Sequence, residues 1–157
     1  MARRRKAVAR SVAPDPLFEN EVVARLINTV MERGKKSLAS RIVYKAIETV
    51  NENGAGVNPL EIFNRAMENI KPRIEVKSRR IGGATYQVPM EVPSARQLSL
   101  ALRWLVAFAQ KRKGVPMSKA LSLEIKEAAS GQGNAVKKRD DVHRMAQANR
   151  AFAHLRW

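Results

Sequence analysis

Along most of this chain the apolar residues recur every three or four positions, but over one stretch of about twenty residues they recur every second position. That change of period constrains the fold more than any other feature, because a helix buries one stripe and a strand buries alternate side chains. Val22, Val23, Leu26, Ile27, Val30 and Met31 mark a first helix, which Gly34 ends. Leu38, Ala39, Ile42, Val43, Ala46, Ile47 and Val50 mark a second, ended by Asn53-Gly54. A third opens on Asn58 as cap, with Pro59 in the first helical position and Glu61 two residues on, and it buries Ile62, Phe63, Ala66, Met67 and Ile70.

The period then shortens. Arg73 to Arg80 and Thr85 to Val92 each alternate, and Gly82-Gly83 lies between them. Two alternating runs about a Gly-Gly pair predict a β-hairpin over about residues 72–92, since glycine accepts the positive φ angles of a tight turn. Pro89 offers no N–H to a ladder and belongs where pairing ends or at an unpaired edge. Ile74, Val76, Tyr86 and Val88 are expected to face the helices, and Lys77, Arg79 and Arg80 to face away.

Helical spacing returns at Ser94, where Ser94-Ala95-Arg96-Gln97 reads as a capping box. Leu98, Ala101, Leu102, Leu105, Val106 and Ala109 point inward, with Arg96 and Arg103 opposite. Pro116 opens a fifth helix, with Met117, Leu121, Ile125 and Ala128 inward, that stops at Gly131-Gln132-Gly133. A sixth runs from about Ala135, with Val142, Met145, Ala146 and Phe152 toward the core. The expected fold is mainly α: about six helices in a bundle, one protruding hairpin and a basic, disordered N-terminal tail. Residues 1–14 form the extension and residues 15–157 a single helical domain.

Charge narrows the function. Thirty Lys and Arg oppose fourteen Asp and Glu, a formal net charge of +16 with a pI near 11.1. Solubility needs a magnitude of only about 2–8 in a small domain, and excess charge of one sign is tolerated best when a polyanion neutralises it. The 45% hydrophobic content still supplies a core. No run of about 18 apolar residues is present, so no spanning helix is expected. The basic start is not followed by an apolar segment, which argues against a secretory signal and fits the cytosol. There are no cysteines, so disulfides and thiolate metal sites are excluded.

The basic residues are clustered. One group is the tail, with Arg3, Arg4, Arg5, Lys6 and Arg10 and no acidic residue before Pro14. Lys35-Lys36 lies at the first turn between helices, and Lys71, Arg73, Lys77, Arg79 and Arg80 follow the hairpin. Lys111-Arg112-Lys113 and Lys137-Lys138-Arg139 complete five groups, and Arg150, Arg156 and Trp157 lie near the end. Any one group fits a solvated face. Five groups on tails, turns and a hairpin are the layout of a helical scaffold holding basic extensions over a phosphate surface.

Catalytic chemistry finds no support. His143 and His154 lack metal-ligand spacing and read as solvated or facing nucleic acid. Gly34-Lys35-Lys36-Ser37 resembles the end of a phosphate-binding loop, but Thr29 stands where that motif needs glycine. Gly131-x-Gly133 begins a dinucleotide fingerprint that Val136 breaks. Asp140-Asp141 reads as charge pairing. No cofactor, metal, membrane or small-molecule substrate is expected. Composition leaves RNA and DNA open, and a basic β-ribbon could serve an architectural DNA-binding protein. Such arms commonly carry an apolar wedge at the tip, where this chain has Gly82-Gly83-Ala84.

Longer strings carry a resemblance. Gly34-Lys35-Lys36 with Ile42-Val43-Tyr44-Lys45-Ala46, and Lys71 to Val76 continuing through Arg79 to Pro89, are similar to the small-subunit ribosomal protein seven family. So are Leu100-Ala101-Leu102-Arg103-Trp104-Leu105 and Asn149-Arg150-Ala151-Phe152-Ala153-His154. The resemblance runs from the tail to the C-terminus and is of the bacterial kind. It implies direct binding to the 3′ major domain of 16S ribosomal RNA early in assembly, so that the head of the small subunit nucleates around the protein. It also implies small-subunit proteins nine and eleven as neighbours, with exit-site tRNA and mRNA close by near the decoding region.

Overall fold

The computed structural model describes residues 11–50 and 58–155. Their order is α1 (Glu21–Val30), α2 (Lys36–Val50), α3 (Pro59–Ile70), β1 (Ile74–Ile81), β2 (Ala84–Glu91), α4 (Ser94–Lys111), α5 (Met117–Ala129), α6 (Asn134–Ala148) and a 3-10 segment, Arg150–Leu155. Mainly helical architecture with one antiparallel hairpin is therefore what the periodicity predicts and what the chain adopts. The basic tail through Arg10 and the expected helix stop at Asn53-Gly54 lie outside the described residues.

The helix starts follow from their caps. Asn20 Oδ1 accepts from the N–H groups of Val22 (2.7 Å) and Val23 (3.4 Å) to open α1. Asn58 Oδ1 accepts from Leu60 N–H at 3.0 Å, with Pro59 first in α3. At α4 the capping box does not form. Pro93 takes the cap position and Ser94 is already helical, because proline's fixed φ of −59° presets entry into the helix. Gln97 reaches back instead to donate to the Val92 carbonyl at 2.8 Å.

One cluster of buried apolar side chains joins all six helices, from Leu26 and Val43 through Phe63 and Leu105 to Leu121 and Val136. Helix α5 lies against α2, α3 and α4, which is why Leu121 and Ile125 have no exposed surface. Several residues expected in the core are not there: Val142 is half-buried, and Phe152, on the 3-10 segment, is half-buried against Tyr86 of the hairpin. Leu38 sits exposed in the first turn of α2, and Met145 is 53% exposed. On α6 the buried side chains are Ala135, Val136 and Ala146, and Met145 falls about a quarter turn from Ala146.

The hairpin register pairs Ile81 with Ala84 across Gly82-Gly83 and continues to Ile74 opposite Glu91. Both glycines have positive φ, 56° and 94°, as a two-residue turn of this kind requires. Arg73 O accepts from Val92 N–H, so hydrogen-bonded pairs alternate from that point and Pro89, opposite Val76, falls on a pair that makes no ladder bond. Its missing N–H therefore faces the unpaired edge of the two-stranded ribbon, the second of the two expected placements, and is harmless inside the strand.

Register also corrects the expected facing. Directly opposite residues share a face, so Val88 lies beside Lys77 and Tyr86 beside Arg79, while Ile74 and Val76 are on the other face. Val88 is fully buried and Ile74 is 39% exposed. The inward face of β1 at the base carries Glu75, which is only 9% exposed. Alternation gave the period correctly but not the face, because a paired carboxylate occupies a position that an apolar residue was expected to hold.

Candidate nucleic-acid interface

The base of the hairpin is fastened to the helices by charge. Glu75 accepts from Arg96 Nε at 2.8 Å and Nη2 at 2.9 Å, and Lys77 Nζ lies 3.5 Å away. The Arg96 hydrogen bonds hold the Glu75 carboxyl below the usual carboxylate range, against the opposing effect of burial. Arg96 thus ties the first turn of α4 to β1 through a two-toothed contact. On the other side Arg73 N–H donates to His143 Nε2 on α6 at 3.0 Å. His143 is half-buried, not solvated, and burial with the nearby Arg139 lowers its proton affinity. The ring is an acceptor built into the fold.

Beyond that base the strands carry their charge outward. Arg73, Lys77 and Arg80 are exposed, Arg79 is half-buried, and Gly82 to Thr85 at the tip are exposed. Tyr86 meets Phe152 of the 3-10 segment with ring centroids 5.3 Å apart, which steadies the middle of β2. Lys71 at the root is paired to Glu68 at 2.5 Å.

The two basic triplets are each split by the structure. Lys111 and Lys113 are exposed at the end of α4, Lys111 with its ammonium 5.1 Å from the Phe108 ring centre. Arg112 turns inward to Glu124 (2.7 Å) and Glu127 (2.5 Å) on α5. Lys137 and Lys138 are exposed at the start of α6. Arg139 turns inward, donating to the Asn69 carbonyl and to Asp140. In each triplet the lysines remain for a partner and the arginine braces the body.

Glu124 was not singled out by sequence, and it has no exposed surface. Its Oε1 accepts from Ala135 N–H at 3.0 Å, so it caps α6, whose own cap residue is Gly133. Gly133 has φ of 92°, and a Cβ there would stand 3.0 Å from Glu127 Cβ. The available signal was an acidic residue next to Ile125 and one turn from Leu121 and Ala128, inside an apolar stripe, which demands a buried cationic partner.

Lys35 and Lys36 are exposed at the α1–α2 turn, where Arg33 and Gly34 both have positive φ. Arg33, Lys35, Gln110 and Met117 line one shallow groove, so this turn lies beside the α4–α5 turn that carries Lys113. The structure thereby brings together two groups far apart in sequence. Arg103 shares a second groove with Arg25 between α4 and α1, and Arg150 is exposed beside Ile74 and Pro89. Arg33, exposed and lining the groove with Lys35, was missed, as were exposed Arg41, Lys45 and Lys119, each a single basic residue within a helix. Arg3, Arg4, Arg5, Lys6, Arg10, Arg156 and Trp157 lie outside the described residues.

Among the described residues no three His, Asp or Glu side chains gather to hold a metal ion, and no helix is long and apolar enough to cross a membrane. The family model for ribosomal protein S7p/S5e matches residues 2–150. The chain is 60% identical over 157 residues to the small ribosomal subunit protein uS7 of Akkermansia muciniphila, covering all of both chains. It is 56% identical over 155 residues to that of Kosmotoga olearia, covering 99% of each, and 54% identical over 157 residues to that of Desulfotalea psychrophila, covering all of both. A helical body with a basic hairpin, basic turns and this likeness along its length belongs to the ribosomal protein S7p/S5e family.

Proposed function

We propose that this chain is a structural constituent of the small ribosomal subunit that binds 16S ribosomal RNA directly, in the 3′ major domain, and nucleates assembly of the subunit head. It carries out no catalytic turnover. Its neighbours in this reading are small-subunit proteins nine and eleven, with exit-site tRNA and mRNA near the hairpin, in the cytoplasm. Residues 15–157 act as one body and residues 1–14 as a basic extension of it. Family membership supports the setting.

The observation that carries the RNA contact is the sorting of charge. Arg96, Arg112 and Arg139 are held in ion pairs that brace the body, whereas Lys35, Lys36, Lys113, Lys137, Lys138, Arg80 and Arg103 are exposed and make no ion pair among the described residues. Exposed lysines on turns held by a packed body contact phosphates without reading bases, and the spacing of the turns reads the shape of a folded RNA. The test is assembly: mixed with protein-depleted small subunits, the chain should co-sediment with them after a high-salt wash and resist displacement by excess duplex DNA. Release by duplex DNA at equal concentration would favour an architectural DNA-binding role and overturn the RNA reading.

A further inference from the structure

The groove between the α1–α2 turn and the start of α5 combines apolar and cationic side chains. Leu38, Ile42 and Met117 supply apolar lining, Arg33 and Lys35 reach it from the turn, and Gln110 reaches it from the end of α4. The space is about 460 Å³, within the range of about 300–1,000 Å³ in which small ligands are held. Leu38 is 48% exposed, so apolar surface meets water beside two cations. Glu32 also lines the groove, which leaves it net positive. Arg33 stands there against steric resistance. Its φ is 52°, in the left-handed region that a side chain with a Cβ adopts reluctantly. Glycine would take that conformation freely, as Gly34 does beside it at φ 75°. The turn's backbone therefore does not call for an arginine at that place, and the side chain is exposed without an ion pair among the described residues.

A nucleotide has the complementary build, a flat apolar face on its base and an anionic phosphate beside it. A protein interface of ordinary size covers about 800 Å² on each partner, more than three apolar side chains offer, whereas a single base is covered by them. We propose that this groove is a subsite for one unpaired nucleotide of the ribosomal RNA. Its base lies against Leu38, Ile42 and Met117, and its phosphate meets Arg33 and Lys35. The Gln110 amide, which both donates and accepts, meets the polar edge of the base. Sequence-specific contacts to RNA are made mostly to unpaired bases splayed out of the helix. The subsite thus adds selection for an unpaired base to the phosphate contacts of the turns. This inference rests on the chain binding ribosomal RNA through its phosphates, as proposed above.

The test titrates the full chain with a transcript of the 3′ major domain and maps base edges in the complex with dimethyl sulfate and carbodiimide. Leu38→Ser should weaken affinity about fivefold, the low end of what losing one stacked base costs, and leave the salt dependence unchanged because no charge is removed. Leu38→Met, which keeps the apolar bulk, should bind as the parent does. Arg33→Gly should flatten the salt dependence by about one unit. Its thermal midpoint should stay or rise, since glycine accepts the left-handed backbone. One unpaired base protected by the parent should become reactive with Leu38→Ser while the other protections persist. Equal affinity for the parent and Leu38→Ser, with no base whose protection depends on Leu38, overturns the subsite and leaves phosphate recognition standing. A parent chain that does not bind the transcript overturns both. A lower thermal midpoint in Arg33→Gly would assign that residue to the fold and overturn its place in the subsite. Unchanged helicity by circular dichroism separates each loss of affinity from misfolding, and Arg33→Gly carries the test if Leu38→Ser does not fold.

Discussion

Arg112 Nη2 lies 2.7 Å from Oε2 of Glu124, a carboxylate with no exposed surface, so the middle residue of a basic triplet faces into the protein. Together with the bond from Ala135 N–H to the same carboxylate, this contact joins the end of α4, the middle of α5 and the start of α6. It holds the turn carrying Lys113 and the turn preceding Lys137 in fixed relation.

The triplet should therefore divide under mutation. Arg112→Gln leaves Glu124 buried without its cation and should cost about 3–5 kcal/mol of unfolding free energy, as loss of one partner of a buried pair does. Lys113→Gln should change stability by less than about 0.5 kcal/mol yet reduce the salt dependence of RNA binding by about one unit. Urea unfolding and RNA titrations measure the two effects. Equal stability losses in both variants would contradict the division.

His143 predicts a pH dependence. Its ordinary value is 6.5, and burial first, with Arg139 and Arg73 adding to it and Asp140 opposing, lowers it in the fold. The unfolded chain then binds the proton more readily, so folding stability from this contact is complete above the ordinary value. It is lost as pH falls through that value toward the lowered one, when Nε2 can no longer accept from Arg73 N–H. Thermal midpoints should decline from about pH 7 to pH 5 in the parent and decline less in His143→Gln, with pH 6.5 as the start of the fall. Parallel curves for the two proteins would show that His143 does not link pH to the hairpin base.

The hairpin turn separates geometry from charge. Gly82 and Gly83 have open space where a Cβ would stand, so replacing both with Val tests backbone conformation alone. Left-handed backbone costs a residue with a Cβ about 1–2 kcal/mol, so the turn should open and the pairing of Arg79 with Tyr86 weaken. Helicity should persist, because the core cluster contains no hairpin residue. Cross-strand amide signals in NMR report the register; their retention in the double variant would show that the strands, not the turn, fix it.

What the sequence made legible follows from what is local. Most of the helix stripes, the cap at Asn58 and the two-residue turn are set within a few positions, and they appear where the pattern puts them. The misses are of long range. Arg96 and Glu75 are 21 residues apart, and Arg112 and Glu124 are 12 apart, so nothing nearby distinguishes a bracing arginine from an RNA-facing lysine. Which face of β1 turns inward likewise depends on α4, since its Arg96 is the main cation that offsets the burial of Glu75. Leu38 lies outside the core in the first turn of α2, and Met145 because it falls about a quarter turn from the buried Ala146.

The most direct measurement of the central claim is the affinity for a 3′ major domain transcript as salt is raised. If the exposed turns, hairpin and extension together contact six to ten phosphates, affinity should fall by about 10³–10⁵-fold between about 50 and 200 mM salt. Lys35→Gln with Lys113→Gln should flatten that dependence by about one unit for each contact removed. A nearly flat titration, or one unchanged by removing those lysines, would contradict recognition of ribosomal RNA through its phosphates.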